Sequence, residues 1–395
     1  MKIKDVFFYP IKIRSNAKGG VYWFLLKLIT DSGVEGWGEI IWNAYDPATL
    51  EKMVMDMAEN YIIGANPFDM EKVFGKIFAI HSKLHTDLSS MGLISGFEIA
   101  LWDIIGKETG QPVYNLMGGR VNDRIRTYTY LYEKEDRIFC EDFWQLPDAC
   151  AKRAKEYADM GFTAVKLDPM APYLDTYAVH MPSREAMLRA KRTIANIREA
   201  VGENVDIIIG THGQFTAAGA IRVAKMLEEY DPLWFEEPTP PENQEILKKV
   251  SRATTIPIAT GERLATRYEY VKLMTDKSCD IYQIDVAGVG GLREARYIAA
   301  MADAFHSQIT THFWAGPVNF AAQLQLDACC PNFLIQEAIE TMGSFGGFDK
   351  VMKKPFVWEE GYIIPSREPG LGIEIDQAKL EKYAVKDYDE RNILI

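Results

Sequence analysis

Two short apolar runs in the middle of the chain each end in acidic residues. Residues 233–240 read Leu-Trp-Phe-Glu-Glu-Pro-Thr-Pro, and residues 256–263 read Ile-Pro-Ile-Ala-Thr-Gly-Glu-Arg. An apolar run that stops at acid, Gly or Pro is typical of a buried parallel strand whose carboxyl end opens into a functional loop. We expect Glu236 and Glu262 to point into one polar mouth. Because two carboxylates would repel each other there, the pattern indicates a cation between them, and an oxygen-ligated Mg²⁺ is the usual solution.

Polar residues also end the neighbouring apolar runs. These candidates for chemistry are, in chain order, Lys166, Asp168, His212, Asp285, His312 and Glu337. A histidine titrates near neutrality and an aspartate on the preceding run can orient its ring, so Asp285 and His312 form a candidate proton-transfer pair. Asp285 alone would be an ordinary strand-end cap, and only the joint spacing of the two residues favours a chemical function.

From residue 124 onward, apolar strand-like runs alternate with helix-like segments. The runs cover residues 125–132, 164–168, 205–210, 233–236, 258–262, 281–285, 309–312 and 333–337. Eight is the number of strands that a (β/α)8 barrel requires, and the later strand ends follow at intervals of 23 to 27 residues, one βα unit each. The active site of such a barrel is assembled from the carboxyl ends of several strands, so the polar residues should converge.

The first 122 residues follow a different pattern, with strands first and helices after them. Strand-like runs cover 3–13, 22–30 and 34–41, and helical periodicity covers 47–62, 67–81 and 91–107. Strands followed by helices without alternation indicate an α+β domain. We therefore expect an α+β capping domain at 1–122, a barrel domain at 123–355 and a segment at 356–395 that returns to the capping domain. The Gly-rich stretch 15–20 is a candidate lid.

Composition limits the possible partners. The chain has 395 residues, of which 25% are charged, and its net charge of −12 argues against a nucleic-acid or anionic-membrane surface. An acidic substrate must then be held by local cations. The first residues lack an apolar signal core, no run approaches the length of a membrane span, and the five cysteines form no Cys-x-x-Cys pair. We expect a cytoplasmic protein.

Several motifs occur in an order and at a spacing that resemble one family. They are Leu101-Trp102-Asp103, the Glu-Glu-Pro and Gly-Glu-Arg strand ends, the Asp285 and His312 strand ends, Gln336-Glu337, and the tail Pro369-Gly370-Leu371-Gly372-Ile373-Glu374. Over essentially its whole length the chain resembles the enolase superfamily, in its mandelate racemase-like branch. Within that branch it is most similar to sugar-acid dehydratases of the galactonate dehydratase type.

The resemblance implies a role for each strand-end residue. Glu236 and Glu262 match metal ligands, and Asp285 with His312 matches the dyad that moves the proton next to a carboxylate. An α-proton of a carboxylate is so weakly acidic that its removal requires Mg²⁺ and hydrogen-bond donors to take up the charge on the enediolate. His212 matches an acid that protonates the departing hydroxyl.

The resemblance also implies how a substrate is held. Lys166 matches a cation that can face the substrate carboxylate, and Glu337 matches an acid near that carboxylate. We add Trp42 and Tyr22 as candidate substrate contacts, for which packing in the core or the hairpin is the competing interpretation. The expected reaction takes the proton α to the carboxylate of an acid sugar and eliminates the 3-hydroxyl to give a 2-keto-3-deoxy acid. We also expect a homo-oligomer.

One position departs from the family pattern. The first metal ligand of the family is an aspartate two residues before His212, and this chain has Gly210 there. Asp206 lies four residues upstream, about 13 Å away at the rise of a strand, and cannot easily substitute. Three replacements stay open: water, a shift of His212 onto the metal, or Asp168 reaching across from the neighbouring strand end. One Mg²⁺ bound by Glu236 and Glu262, with water or Asp168 completing the shell, is the arrangement that we expect.

Two other functions remain open. An epimerase, racemase or cycloisomerase could use the same enediolate. A metal-poor, non-catalytic relative that binds acid sugars is the third possibility, and Gly210 suggests it. The presence of both strand-end histidines with Asp285 and Glu337 favours an enzyme, because a binding protein has no need of paired proton-transfer groups.

Overall fold

The computed structural model describes residues 1–12, 22–43, 45–81, 85–133, 141–171, 179–340 and 347–385, without the side chains of His81 and Glu141. The proposed lid at 15–20 lies outside these ranges. Within them the chain forms an N-terminal antiparallel sheet with helices and a closed parallel barrel.

The N-terminal sheet has three strands in the order β1-β2-β3. The strands are β1 (Ile3–Lys12), β2 (Tyr22–Thr30) and β3 (Glu35–Ile40), and the helices are α1 (Pro47–Met57), α2 (Met70–His81), α3 (Leu88–Thr109) and α4 (Val113–Leu116). Both strand pairings are antiparallel, and a turn at residues 31–34 joins β2 to β3. The expected α+β capping domain is confirmed.

Helix α3 packs directly on strand β3. Asp87 caps its start by accepting a hydrogen bond from the Ser90 backbone N–H, and Gly110, with φ 67°, ends it. A Cβ atom on Gly38 of β3 would lie 1.9 Å from the Gly96 carbonyl oxygen of α3, so only glycine permits this approach. Helix α3 is long and apolar enough to cross a membrane, but 78% of its apolar window is buried inside this molecule, as in a core helix.

The barrel has the eight predicted strands. They are β4 (Ile125–Tyr130), β5 (Ala164–Leu167), β6 (Asp206–Gly210), β7 (Trp234–Glu236), β8 (Ile258–Thr260), β9 (Ile281–Ile284), β10 (Gln308–Thr311) and β11 (Phe333–Ala338). Neighbouring strands pair in parallel, and β11 pairs with β4 to close the barrel. The predicted (β/α)8-type fold is therefore confirmed. Most of the strands are shorter than predicted because several polar residues at their ends, such as Asp285 and His312, follow the last residue of the strand.

The remaining helices follow along the chain: those up to residue 329 accompany the barrel strands, and the last one packs against β1 of the capping domain. They are α5 (Glu141–Trp144), α6 (Pro147–Met160), α7 (Arg184–Val201), α8 (Ala217–Leu227), α9 (Gln244–Ser251), α10 (Thr266–Asp276), α11 (Val286–Val289), α12 (Leu292–Ala304), α13 (Pro317–Cys329) and α14 (Gln377–Tyr383). Inside the barrel, buried side chains pack in a separate cluster that we call the barrel floor, formed by Tyr128, Ala164, Ile208, Trp234, Ala259, Ile281 and Ile335. This apolar floor leaves the carboxyl ends of the strands for polar residues.

The C-terminal segment returns to both parts of the fold. Strand β12 (Trp358–Glu359) pairs with β13 (Tyr362–Ile363), which pairs antiparallel with β4. The buried Asp103 carboxylate of α3 accepts backbone hydrogen bonds from Trp37 of β3 at 2.9 Å and from Leu371 of the tail at 2.9 Å. Lys107 contacts the same carboxylate at 2.6 Å. The predicted return of the tail is confirmed, whereas the domain boundaries after residues 122 and 355 stay predictions.

Replacing Asp103 with alanine should lower the free energy of unfolding by about 3 kcal/mol, because two buried backbone N–H groups would lose their acceptor. Urea denaturation measures the change. Asp159→Ala is a matched control, since Asp159 forms an exposed ion pair with Lys155 at the same i,i+4 spacing. This control should change stability by at most about 0.5 kcal/mol. Equal effects of the two substitutions would show that Asp103 does not join the tail to the capping domain.

Candidate active site

Six of the predicted residues are buried at the carboxyl ends of the barrel strands and lie close to one another. They are Lys166, Glu236, Glu262, Asp285, His312 and Glu337, each 9% exposed or less. Charged side chains are rarely buried to this extent without partners. Their contacts divide them into two neighbouring groups.

The first group is a lysine between two carboxylates. The Lys166 Nζ atom lies 2.5 Å from Glu236 Oε1 and 2.9 Å from Glu337 Oε1. Glu236 Oε2 accepts a hydrogen bond from the Trp234 indole at 2.8 Å, and Glu337 Oε2 accepts one from the Phe313 backbone at 2.8 Å. Burial alone would lower the pKa of Lys166, but the two carboxylates raise it well above its ordinary value. Lys166 is therefore a buried ammonium ion.

The second group is the predicted histidine–aspartate dyad. His312 Nδ1 lies 2.8 Å from Asp285 Oδ2, and Asp285 Oδ1 accepts the Ala287 backbone N–H at 2.9 Å. The other ring nitrogen of His312, Nε2, lies 3.9 Å from Glu262 Oε2. Burial alone would lower the pKa of His312, but the Glu262 and Asp285 carboxylates raise it to about 10. Burial raises the pKa of Glu262 to about 8, with protonated His312 acting in the opposite direction.

The capping domain contributes Trp42 to this dyad. The Trp42 indole N–H donates to Asp285 Oδ2 at 3.1 Å, and its ring centroid lies 5.6 Å from that of His312. Trp42 follows strand β3, whose buried Glu39 accepts backbone hydrogen bonds from Gly316 at 2.5 Å and Asn319 at 2.9 Å, at the start of barrel helix α13. The Glu39 contacts therefore fix the end of β3 against the barrel, where Trp42 reaches the site.

His212 lies two residues beyond the end of β6. The loop is attached to β7, because the Thr211 hydroxyl and the Gly213 backbone N–H donate to the carbonyl oxygens of Glu236 and Glu237 at 2.6 and 2.7 Å. Burial lowers the pKa of His212 well below its ordinary value, and the nearby cations of Lys166 and Arg263 add to the effect. His212 is therefore neutral at pH 7, in contrast to His312.

A magnesium site of the expected kind does not fit these residues. The described part of the chain contains no group of three or more His, Cys, Asp or Glu side chains that could hold a metal ion. A Cβ atom on Gly210 would lie 2.5 Å from Lys166 Cε and 2.5 Å from the Tyr130 hydroxyl, so the lysine and the tyrosine occupy the space beside this glycine.

Both carboxylate oxygens of Asp168 accept hydrogen bonds, and its assignment as a metal ligand stays a prediction. Its Oδ1 atom accepts the Met170 backbone N–H at 2.8 Å, and its Oδ2 atom accepts the Gln214 side-chain amide at 2.6 Å. These bonds hold the carboxylate to the loops after β5 and β6.

Tyr22, predicted as a substrate contact, packs in the capping domain. It lies in β2, within the capping-domain core, and its ring stacks on Phe24 with the centroids 5.9 Å apart. The alternation of inward and outward side chains along β2 buries it there. Packing therefore accounts for Tyr22, as the competing interpretation anticipated, whereas Trp42 does reach the dyad.

Sequence reasoning missed three residues near the site. Arg263 forms an ion pair with Glu237, whose Oε1 also accepts the Gly261 backbone N–H at 3.0 Å. Tyr130, at the end of β4, lies with its ring 4.6 Å from Lys166 Nζ. Two features of the sequence could have identified them. Tyr130 lies near the end of a predicted strand, and Glu237 and Arg263 each directly follow a strand-end glutamate.

Comparison with known proteins agrees with this fold. A family model for the mandelate racemase / muconate lactonizing enzyme N-terminal domain matches residues 3–118, and one described as enolase C-terminal domain-like matches residues 149–379. The D-xylonate dehydratase of Haloferax volcanii is 31% identical over 93% of this chain and 87% of that protein. The D-gluconate/D-galactonate dehydratase of Picrophilus torridus is 32% identical over 93% of this chain and 90% of that protein.

Solved structures show the same likeness. A structure from Burkholderia SAR-1 is 43% identical, covers 100% of this chain and 97% of that chain, and superposes with a TM-score of 0.94. The mandelate racemase/muconate lactonizing enzyme from Sulfitobacter is 38% identical, with 99% and 97% coverage and a TM-score of 0.92. With both domains matched and the strand-end groups in place, the chain belongs to the enolase superfamily, in its mandelate racemase-like branch.

Proposed function

We propose that this protein is a hydro-lyase that dehydrates an acid sugar to its 2-keto-3-deoxy acid. The observation that carries the proposal is the contact between His312 and Asp285 at 2.8 Å, at the same end of the barrel as the Lys166 ammonium. A proton-transfer group beside a buried cation is what removal of a proton α to a carboxylate requires. Relatives over most of the chain are named D-xylonate, D-gluconate and D-galactonate dehydratases.

The proposed reaction uses the two histidines in sequence. His312 Nε2, in its neutral form, takes the proton from C2 of the substrate, and the C–H electron pair moves into the carboxylate to give an enediolate. Lys166 donates to the oxygens on which the charge develops. The enediolate electrons then form the C2–C3 double bond while the C3–OH bond breaks, and His212 donates the proton that makes the leaving group water. Tautomerisation of the resulting enol gives the 2-keto-3-deoxy acid.

Enzymes of the superfamily typically use Mg²⁺. The sequence-based prediction of one Mg²⁺ on Glu236 and Glu262 stays a prediction, and no step above depends on it, because the described residues do not assemble the third ligand. The substrate class is a small acid sugar, by analogy with the named relatives. A cytoplasmic location and homo-oligomeric assembly also stay predictions.

A substrate screen tests the proposed function. Purified protein is incubated with a panel of aldonic acids, with and without Mg²⁺, and the 2-keto-3-deoxy product is measured by its reaction with semicarbazide. Proton NMR in deuterated water follows exchange at C2 in parallel. We expect keto acid from at least one member of the panel. Exchange or epimerisation at C2 without keto acid would contradict dehydration and support an epimerase instead.

The protonation states of the two histidines predict an unusual pH profile. The resting site holds a proton on His312, whose pKa is about 10, and none on His212, whose pKa is lowered. The reactive form has the reverse arrangement with the same total number of protons, so the two histidines alone give its population no pH dependence between their pKa values. The value of kcat/KM should therefore not rise tenfold per pH unit; it should change only modestly as neighbouring Glu262 titrates near pH 8 and fall as pH rises through about 10.

Initial rates at low substrate concentration across this pH range provide the measurement. A value of kcat/KM that increases about tenfold per pH unit up to pH 9 would mean that only the deprotonation of His312 matters. His212 would then not supply the proton for the leaving group.

A further inference from the structure

The Lys166 ammonium lies where two carboxylates would otherwise face each other. Its Nζ atom contacts Glu236 and Glu337 at 2.5 and 2.9 Å, and the lysine is 1% exposed. An ammonium ion has three donors and no lone pair, so it competes with a divalent ion for carboxylate oxygens and cannot itself bind one. Two of its donors are used by these carboxylates, which leaves one for a substrate oxygen.

Gly210 makes this arrangement possible. Any side chain at position 210 would begin with a Cβ atom 2.5 Å from Lys166 Cε and 3.2 Å from Lys166 Cγ. Both separations are shorter than ordinary carbon–carbon contacts. The glycine that removes the expected carboxylate therefore also provides the room through which the lysine reaches Glu236.

A second donor lies beside the ammonium. The Tyr130 residue is 7% exposed, and its hydroxyl has no hydrogen-bond partner among the described residues. The same hydroxyl is 2.5 Å from the Cβ position built on Gly210. A buried hydroxyl without a partner is costly, so a bound group should complete its hydrogen bonding.

We propose that the Lys166 ammonium, with the Tyr130 hydroxyl as a second donor, replaces the divalent metal ion of this site. This inference rests on the proposed function for its chemistry, since the two donors would stabilise the enediolate formed from an acid sugar. No covalent bond to the Lys166 ammonium forms or breaks in this role. Its positive charge balances the negative charge on the enediolate.

The charge balance of the site agrees with this assignment. Glu236 and Glu337 flank one ammonium, and Glu262 lies 3.9 Å from His312, which Asp285 holds on its other side. A divalent ion added between Glu236 and Glu262 would lie close to the positive charge of Lys166 and would share its carboxylate. Like charges at such short range are strongly unfavourable in a buried site.

The first experiment measures metal binding without any substrate. Mn²⁺ is titrated into EDTA-treated protein, and the signal of free Mn²⁺ is followed by electron paramagnetic resonance. Wild-type protein should leave the signal of an equimolar amount of Mn²⁺ unchanged. The double variant Gly210→Asp/Lys166→Ala places a third carboxylate in the vacated space and should lower the free signal, whereas Lys166→Ala alone provides the matched control. Stoichiometric binding by the wild-type protein would overturn the proposal.

The second experiment measures turnover. After EDTA treatment the wild-type protein should keep its kcat/KM, whereas Lys166→Met should lower kcat by at least about 100-fold and Tyr130→Phe by at least about tenfold, the scale for losing donors to a developing oxyanion. Lys191→Met removes an exposed lysine paired with Glu229 and should leave kcat unchanged. Loss of activity in EDTA that Mg²⁺ restores would overturn the proposal.

The two experiments separate failure of the inference from failure of the proposed function. Circular dichroism and thermal unfolding of each variant verify folding. The Mn²⁺ titration measures metal binding at the site even if no substrate is found. Absence of keto acid from every acid sugar would contradict dehydration alone. Mn²⁺ binding by the wild-type protein would contradict the proposal that Lys166 replaces the metal ion, whatever reaction the protein catalyses.

Discussion

Replacing His312 with asparagine should lower turnover of the acid-sugar substrate by at least about 100-fold, the usual contribution of a positioned general base. Asparagine keeps a polar side chain that can donate to Asp285, but it cannot accept a proton from carbon at pH 7. His312 is buried, with Asp285 at 2.8 Å and Glu262 at 3.9 Å, so solvent cannot easily supply a substitute base. Steady-state kinetics with the substrate found in the screen provide the measurement.

The control for this substitution is His306→Asn. His306 is exposed and has a backbone φ of 56°, a left-handed conformation that asparagine accepts readily. It should leave turnover unchanged, since surface substitutions away from special features have small effects. If His312→Asn kept more than about a tenth of the wild-type turnover while remaining folded, the assignment of His312 as the base would be wrong.

Much of the fold and several contacts of the site followed from local sequence patterns. Each barrel strand is a short apolar run that ends in a polar residue, and parallel strands bring such ends together. This reasoning placed His312 after β10 and Asp285 after β9, and the structure shows them 2.8 Å apart. It also gave the three N-terminal strands, because residues 3–13, 22–30 and 34–41 are strand-like runs.

The partners of the charged residues could not be predicted in the same way. Strand order shows which strand ends are neighbours but not the direction of a long side chain, so Lys166 was expected to face a substrate rather than Glu236. The space beside Gly210 depends on the three-dimensional positions of Lys166 and Tyr130, which are far from it in sequence. The hydrogen bonds of Asp168 to Met170 and Gln214 could not be predicted either, because they arise from loop geometry.

The contact between the capping domain and the His312–Asp285 dyad could not be predicted from the sequence either. Trp42 lies 243 positions from Asp285, and its hydrogen bond depends on how the capping domain packs against the barrel. A long-range contact of this kind leaves no periodicity in the sequence. Only the proximity of Trp42 to the end of a predicted strand suggested a role, and that signal applied equally to Tyr22, which packs in the core.

Replacing His212 with asparagine should separate proton removal from loss of the hydroxyl. If His212 protonates the leaving group, His212→Asn should lower formation of the 2-keto-3-deoxy acid by at least about 100-fold, because hydroxide is a poor leaving group without general acid catalysis. Exchange of the C2 proton with deuterated solvent should continue, since His312 and Asp285 remain in place.

Keto acid and C2 exchange are measured in the same sample by proton NMR, so differences in protein concentration cancel. His180→Asn is the control, because His180 precedes α7 and its ring lies 5.7 Å from that of Phe215, on the loop after β6, outside the strand-end cluster. Both signals should persist in this control. If His212→Asn instead abolished exchange together with keto acid, His212 would act in proton removal itself. An enediolate handled by His212 and His312 from two directions would then favour an epimerase over a dehydratase.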